Sequence, residues 1–108
     1  ELRPTKGFYD YEAKYTEGAT EHLVPAPVPD DLGAQAMAWA ALAHKALDCR
    51  GVTRSDFRYD DTRDALVILE LNTQPGMTQL SLVPEQADHC GIAFTELVRW
   101  MVETARCD

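Results

Sequence analysis

The chain has 108 residues, 45% apolar and 26% charged, which suits one small globular domain and excludes both a disordered chain and a pair of ordinary domains. Its formal charge of −8 leaves too few cations for the basic face a nucleic acid needs, so no nucleic-acid partner is expected. No apolar run approaches the roughly 18 residues of a membrane span, the start at Glu1-Leu2-Arg3-Pro4 has no signal-peptide core, and Cys49, Cys90 and Cys107 form no Cys-x-x-Cys pair for zinc or redox chemistry, so a cytoplasmic setting is expected.

Residues 1–27 read as extended and aromatic-rich, with Phe8, Tyr9, Tyr11 and Tyr15 set among Asp10, Glu12 and Lys14. The first four residues read like the tail of a strand, as though cut from something longer. A loop is expected at Glu17-Gly18-Ala19, and Pro25, Pro27 and Pro29 then favour a polyproline-like connector. Asp30 and Asp31 start a helix whose apolar positions are Leu32, Ala36, Trp39, Ala43, Ala46 and Leu47. Gly51 is expected to close it, with Lys45 and Arg50 near the negative end of the dipole. Two strands follow, predicted over 52–59 and 65–72, joined by the polar hairpin loop Asp60-Asp61-Thr62-Arg63-Asp64. In the irregular stretch 73–80, Pro75-Gly76 suits the centre of a type II turn. Ser81 is placed to cap a short helix reaching about Cys90, and Gly91 ends it. A last amphipathic helix over about 94–105 is predicted to bury Phe94, Leu97, Val98, Met101 and Val102. The fold class is α+β: an antiparallel sheet backed by helices.

Strand parity brings the chemistry together, because side chains alternate between faces. On the second strand Val67, Leu69 and Leu71 share an apolar face expected to meet the core, while Ile68, Glu70 and Asn72 point the other way. On the first, Arg54, Asp56 and Arg58 share a face. A hairpin centred on Arg63 sets Asp56 opposite Glu70 and Arg54 opposite Asn72. Two carboxylates facing each other across a ladder repel unless a cation lies between them. Carboxylate and amide oxygens are the hard ligands that magnesium prefers. The plainer reading is a solvated sheet face on which Arg54 and Arg58 neutralise Asp56 and Glu70, and parity alone favours it. His22, His44 and His89 have no partner at metal-ligand spacing and read as surface or helix residues.

The run Glu70-Leu71-Asn72-Thr73-Gln74-Pro75-Gly76-Met77-Thr78, with Ser81-Leu82-Val83-Pro84 after it, resembles the signature of the D-alanine–D-alanine ligases, which belong to the ATP-grasp superfamily. The segment from Phe8 to Tyr15 looks like the family's entry to its active-site loop. Cys49-Arg50-Gly51-Val52 with Arg54-Ser55-Asp56 looks like its first metal-binding strand. Order and spacing agree from end to end, so the resemblance covers essentially the whole chain and lifts the metal reading above the solvated-face one.

The resemblance implies that Asp56, Glu70 and Asn72 hold two Mg2+ ions, or Mn2+, with Glu70 bridging them. ATP is the co-substrate and two D-alanines the substrates. Arg54 matches the arginine that stabilises the tetrahedral intermediate and transferred phosphate, and Gly76 a glycine whose backbone N–H faces the developing oxyanion. Ser81 and Leu82 match the positions holding the carboxylate of the second D-alanine. Lys14 matches a lysine reaching the phosphates. Tyr15 matches a tyrosine of the closing loop that separates dipeptide-forming members from those making D-alanyl-D-lactate. The family's chains are about three times as long. The N-terminal and central domains would supply the first D-alanine site, the phosphate-covering glycine-rich loop and most of the adenine pocket. The full-length enzyme is then expected to be a cytoplasmic homodimer making a peptidoglycan precursor, and this piece to be inactive alone with apolar surface exposed. The alternatives are a D-alanyl-D-lactate type ligase and a stand-alone ATP-grasp binding module that has kept the fold without the chemistry.

Overall fold

The computed structural model describes residues 1–5 and 20–107. The aromatic segment, with Lys14, Tyr15 and the loop expected at 17–19, lies outside the described residues. The elements run β1 (Leu2–Pro4), β2 (Thr20–His22), α1 (Asp30–Ala46), β3 (Arg54–Asp60), β4 (Ala65–Asn72), α2 (Leu82–His89) and α3 (Phe94–Thr104). Two antiparallel ribbons carry the sheet structure, β1 with β2 and β3 with β4, so the α+β reading holds. Helix α1 packs along the β3–β4 hairpin, and α2 packs on α3.

The expected start of α1 is met, with Asp30 and Asp31 in its first turn where the dipole favours negative charge. Its half-buried residues include Leu32, Ala36, Trp39 and Ala43, as the spacing predicts, whereas Ala46 and Leu47 are exposed. Gly51 does not close the helix. The residue past the C-cap is Asp48, in the left-handed region with φ 50°. The Asp48 N–H donates to Lys45 at 3.1 Å and the Cys49 N–H to His44 at 3.0 Å, which is the Schellman pattern. Asp can fill this position because its short polar side chain tolerates positive φ better than most. Gly91 does end α2 as expected, with φ 80° and the same pair of bonds, Gly91 to Asp88 and Ile92 to Ala87.

The β3–β4 register matches the expected pairing at one end only. Arg54 pairs with Asn72, Ser55 with Leu71 and Asp56 with Glu70, but the next rung joins Phe57 to Ile68. Leu69 is the extra residue of a β-bulge, and every rung beyond it has the opposite parity. The predicted apolar face of Val67, Leu69 and Leu71 is therefore wrong. Val67 is 52% and Leu69 63% exposed, while Leu71 is half-buried. Beyond the bulge Ile68 and Leu66, not Val67, share a face with Phe57 and Tyr59.

Among the described residues only Pro75, Pro84 and Leu97 are buried. Helix α3 packs on α2, and its buried residue is Leu97, with Phe94 and Met101 half-buried on the same stripe. Val98 and Val102 are exposed, Val102 at 71%, against the predicted list. One helix covers one stripe, so the flanks of α3 stay in solvent here. The exposed apolar surface expected of this chain is present: Leu80, Val67, Leu69 and Trp100 all lie open.

Candidate functional site

The hairpin brings four of the expected residues onto one face. Asp56 lies directly across from Glu70, and Arg54 directly across from Asn72, on adjacent same-face rungs. Cross-strand neighbours of this kind have Cβ atoms only about 5 Å apart. The opposite face, represented by Ser55, lies towards α1: Ser55, Thr53 and Val52 line a shallow groove with Ala40, Ala41 and His44. Helix α1 thus covers the back of the hairpin and leaves the charged face free of it. His44 secures this packing, its Nδ1 lying 2.9 Å from the Thr53 hydroxyl. The bulge falls one rung beyond Asp56–Glu70, so the register of the four residues is the part of the hairpin that the predicted centre describes.

The electrostatics of this face are local. The Arg54 guanidinium donates through Nε to Asp56 Oδ1 at 2.7 Å and through a terminal nitrogen to Oδ2 at 2.9 Å. Both side chains are substantially buried, at 23% and 35% exposure, and the geometry is the two-pronged one that suits a carboxylate. This is one half of the plainer reading of the sequence, in which arginine neutralises Asp56. Asn72 Oδ1 accepts the Gln74 N–H at 2.9 Å, an Asx-type turn that starts the loop after β4. Among the described residues no group of three or more His, Cys, Asp and Glu side chains clusters as a metal site. The expected set contains two carboxylates and an amide, so that absence does not bear on it. Its donor chemistry fits a hard divalent cation, provided Arg54 gives up at least one oxygen of Asp56.

The loop folds back onto the start of α2. A Cβ built on Gly76 would stand 3.1 Å from Ser81 Oγ, so the backbone at 76 and the serine hydroxyl are in close approach. Gly76 is not in the left-handed region, which belongs among the described residues to Asp48, Gly51, Asp64 and Gly91. The expected type II turn, which needs positive φ at its third residue, is therefore absent. Gly76 is favoured by this close contact rather than by backbone strain. Ser81 occupies the N-cap position with extended backbone, yet its hydroxyl makes no cap bond. It turns instead towards the loop, accepting the Thr78 N–H at 3.0 Å and lying 2.8 Å from the Thr78 hydroxyl. Ser81 therefore does not cap α2 with its side chain. The first-turn N–H groups of α2, Leu82 among them, lie where a helix has no partner of its own to offer.

One contact had no signal in the sequence. His22, read as a surface residue, places Nδ1 2.9 Å from Oε2 of Glu85 in the first turn of α2. The partners are 63 residues apart, so neither periodicity nor motif spacing could have joined them.

The fold that carries this hairpin, glycine loop and helix start is shared with ligases of known structure. Two crystal structures of D-alanine–D-alanine ligase from Bacillus anthracis superpose on it. The one complexed with ATP has a TM-score of 0.76 and 30% identity over 95% of this chain and 31% of its own. The other has a TM-score of 0.75 and 35% identity over 95% of this chain and 33% of its own. This class of fold is the C-terminal part of an ATP-grasp ligase.

The family model described as D-ala D-ala ligase C-terminus matches residues 1–103, and the chain belongs to that family. It is 63% identical over 109 aligned residues to the D-alanine–D-alanine ligase of Caulobacter vibrioides, covering 99% of this chain and 34% of the relative. It is 63% identical over 102 residues to that of Acidiphilium cryptum, covering 94% of this chain and 34% of the relative. The chain spans about a third of the length of the curated relatives it matches.

Proposed function

We propose that this chain supplies the phosphate, metal and second-D-alanine half of an enzyme that joins two D-alanines at the expense of ATP. The observation that carries the reading is the rung pair Asp56–Glu70 and Arg54–Asn72 on the face that α1 leaves free, leading directly into the Gly76–Ser81 contact. Asp56, Glu70 and Asn72 would hold magnesium, which when bound neutralises charge on the transferring phosphate. Arg54 lies on the same face, with guanidinium N–H groups suited to phosphate oxygens and to the charge of a tetrahedral intermediate. The absent side chain at Gly76 lets a backbone N–H approach the developing oxyanion. The Ser81 hydroxyl and the Leu82 N–H, at the positive end of α2, suit the carboxylate of the second D-alanine.

In this reading ATP phosphorylates the carboxylate of the first D-alanine, the amine of the second attacks the acyl phosphate, and phosphate leaves. The remaining parts of the active site come from N-terminal and central domains, with Lys14 and Tyr15 contributing to phosphate binding and loop closure. The working enzyme is a cytoplasmic homodimer that feeds peptidoglycan synthesis. The family resemblance supports these points. No helix among the described residues is long and apolar enough to cross a membrane.

A chimera tests the reading. Replacing the matching third of the Caulobacter vibrioides ligase with this chain should give an enzyme that releases phosphate from ATP only with D-alanine and makes D-alanyl-D-alanine. Glu70→Gln or Asn72→Ala in the chimera should lower turnover about 100-fold or more with the fold intact. Unchanged turnover in both variants would sink the metal assignment. Ester formation from D-lactate at neutral pH would overturn the dipeptide assignment carried by Tyr15.

A further inference from the structure

Resting on the reading above and deepening it, we propose that His22 is a positioning residue for the second D-alanine, acting through Glu85 on the Ser81–Leu82 end of α2. His22 closes β2, the strand that leads out of residues 6–19, and Glu85 lies in the first turn of α2. Their side chains meet at 2.9 Å and are about two-thirds buried, at 30% and 34% exposure. A hydrogen bond to a charged partner in such a setting outweighs the fully exposed pairs that contribute little.

The path from Glu85 to the proposed carboxylate site is short and continuous. The Glu85 N–H donates to the Ser81 carbonyl at 3.1 Å. The Ser81 hydroxyl in turn accepts the Thr78 N–H and stands against the backbone of Gly76. Helix α2 has eight residues, and its N-cap serine makes no side-chain cap bond to the first-turn N–H groups. A helix end without its own cap frays readily. The tether from His22 adds a hold from outside the helix, and together with the Thr78–Ser81 bonds it sets where the Ser81 hydroxyl and the Leu82 N–H point. Position, rather than charge transfer, is what the pair supplies, so its loss should be felt in binding of the second D-alanine and not in binding of ATP.

The test uses the complete chimeric ligase. His22→Ala and Glu85→Ala should each raise the KM for the second D-alanine about tenfold, while the KM for ATP changes less than twofold. The double variant should be no worse than either single one, because both remove the same bond. Glu85→Gln, which keeps the size and an acceptor oxygen, should recover most of the affinity. Additive effects, an unchanged D-alanine KM, or equal rises in both KM values would overturn the proposal. An unmutated chimera that makes no dipeptide would instead overturn the ligase reading on which it rests.

Discussion

Arg54 grips both carboxylate oxygens of Asp56, at 2.7 and 2.9 Å, on the rung next to the one where Arg54 itself faces Asn72. A bidentate guanidinium and a divalent cation cannot both own the same pair of oxygens. The arginine therefore stands in for the cation on this face, which eases the repulsion between Asp56 and Glu70.

Arg54→Gln should consequently tighten binding of Mn2+, used as a spin probe for magnesium, to the nucleotide-free chimera. The gain should be about three- to tenfold, since the pair is partly exposed and solvent weakens it. The same variant should lose turnover, because the guanidinium is also needed on the phosphate. Paramagnetic resonance of free Mn2+ measures the first effect. Weaker metal binding would show that Arg54 helps to build the cation site rather than to occupy it.

Gly76 is held by contact with Ser81, not by a left-handed backbone. Gly76→Ala puts a methyl group 3.1 Å from the serine oxygen, so the hydroxyl must shift by a few tenths of an ångström. Turnover should fall about tenfold, for misplacement by fractions of an ångström is costly at a reacting centre. The fold should survive, because alanine is acceptable where φ is negative. Steady-state kinetics together with circular dichroism separate the two. A loss of structure equal to the loss of activity would refute the contact argument.

Asp48 takes the left-handed position at the end of α1, and Gly91 takes it at the end of α2. Opposite signs follow for exchanging their residue types. Asp48→Gly should stabilise by about 0.5 kcal/mol, since glycine adopts that conformation without steric cost. Gly91→Ala should destabilise by about 1 kcal/mol, although a Cβ there would meet no neighbour within 4 Å. Shifts in the thermal midpoint measure both, and equal signs would contradict the assignment.

In the hairpin loop the Thr62 hydroxyl donates to Asp60 at 2.6 Å and holds its carboxyl below the usual aspartate range, against the opposing effect of desolvation. Because the folded value is the lower one, this bond stabilises the loop above about pH 4 and its contribution fades as pH falls through the folded value. Carboxyl carbon resonances followed by NMR should show Asp60 titrating low in the parent and near the ordinary value in Thr62→Ala. An unmoved titration in the variant would assign the shift elsewhere.

Much of this was legible in residues that are close in sequence. Helix starts, the end of α2, the two hairpin strands and the rung that sets Asp56 against Glu70 all follow from local rules of period, turn chemistry and charge. The stretch from Glu70 to Leu82 was legible too, but as a resemblance to a family rather than from those rules. What failed needed more than local information. The bulge at Leu69 turned the apolar parity over, because a strand's register depends on its partner. Asp48 displaced Gly51 as the helix stop, because backbone geometry past a cap is chosen by both bonds it must close. Ser81 gave its hydroxyl to Thr78 rather than to the helix, because the loop returned close enough to compete for it. The approach of His22 to Glu85 belongs wholly to the tertiary structure: 63 residues separate them, and only folding could bring a strand end to the first turn of that helix.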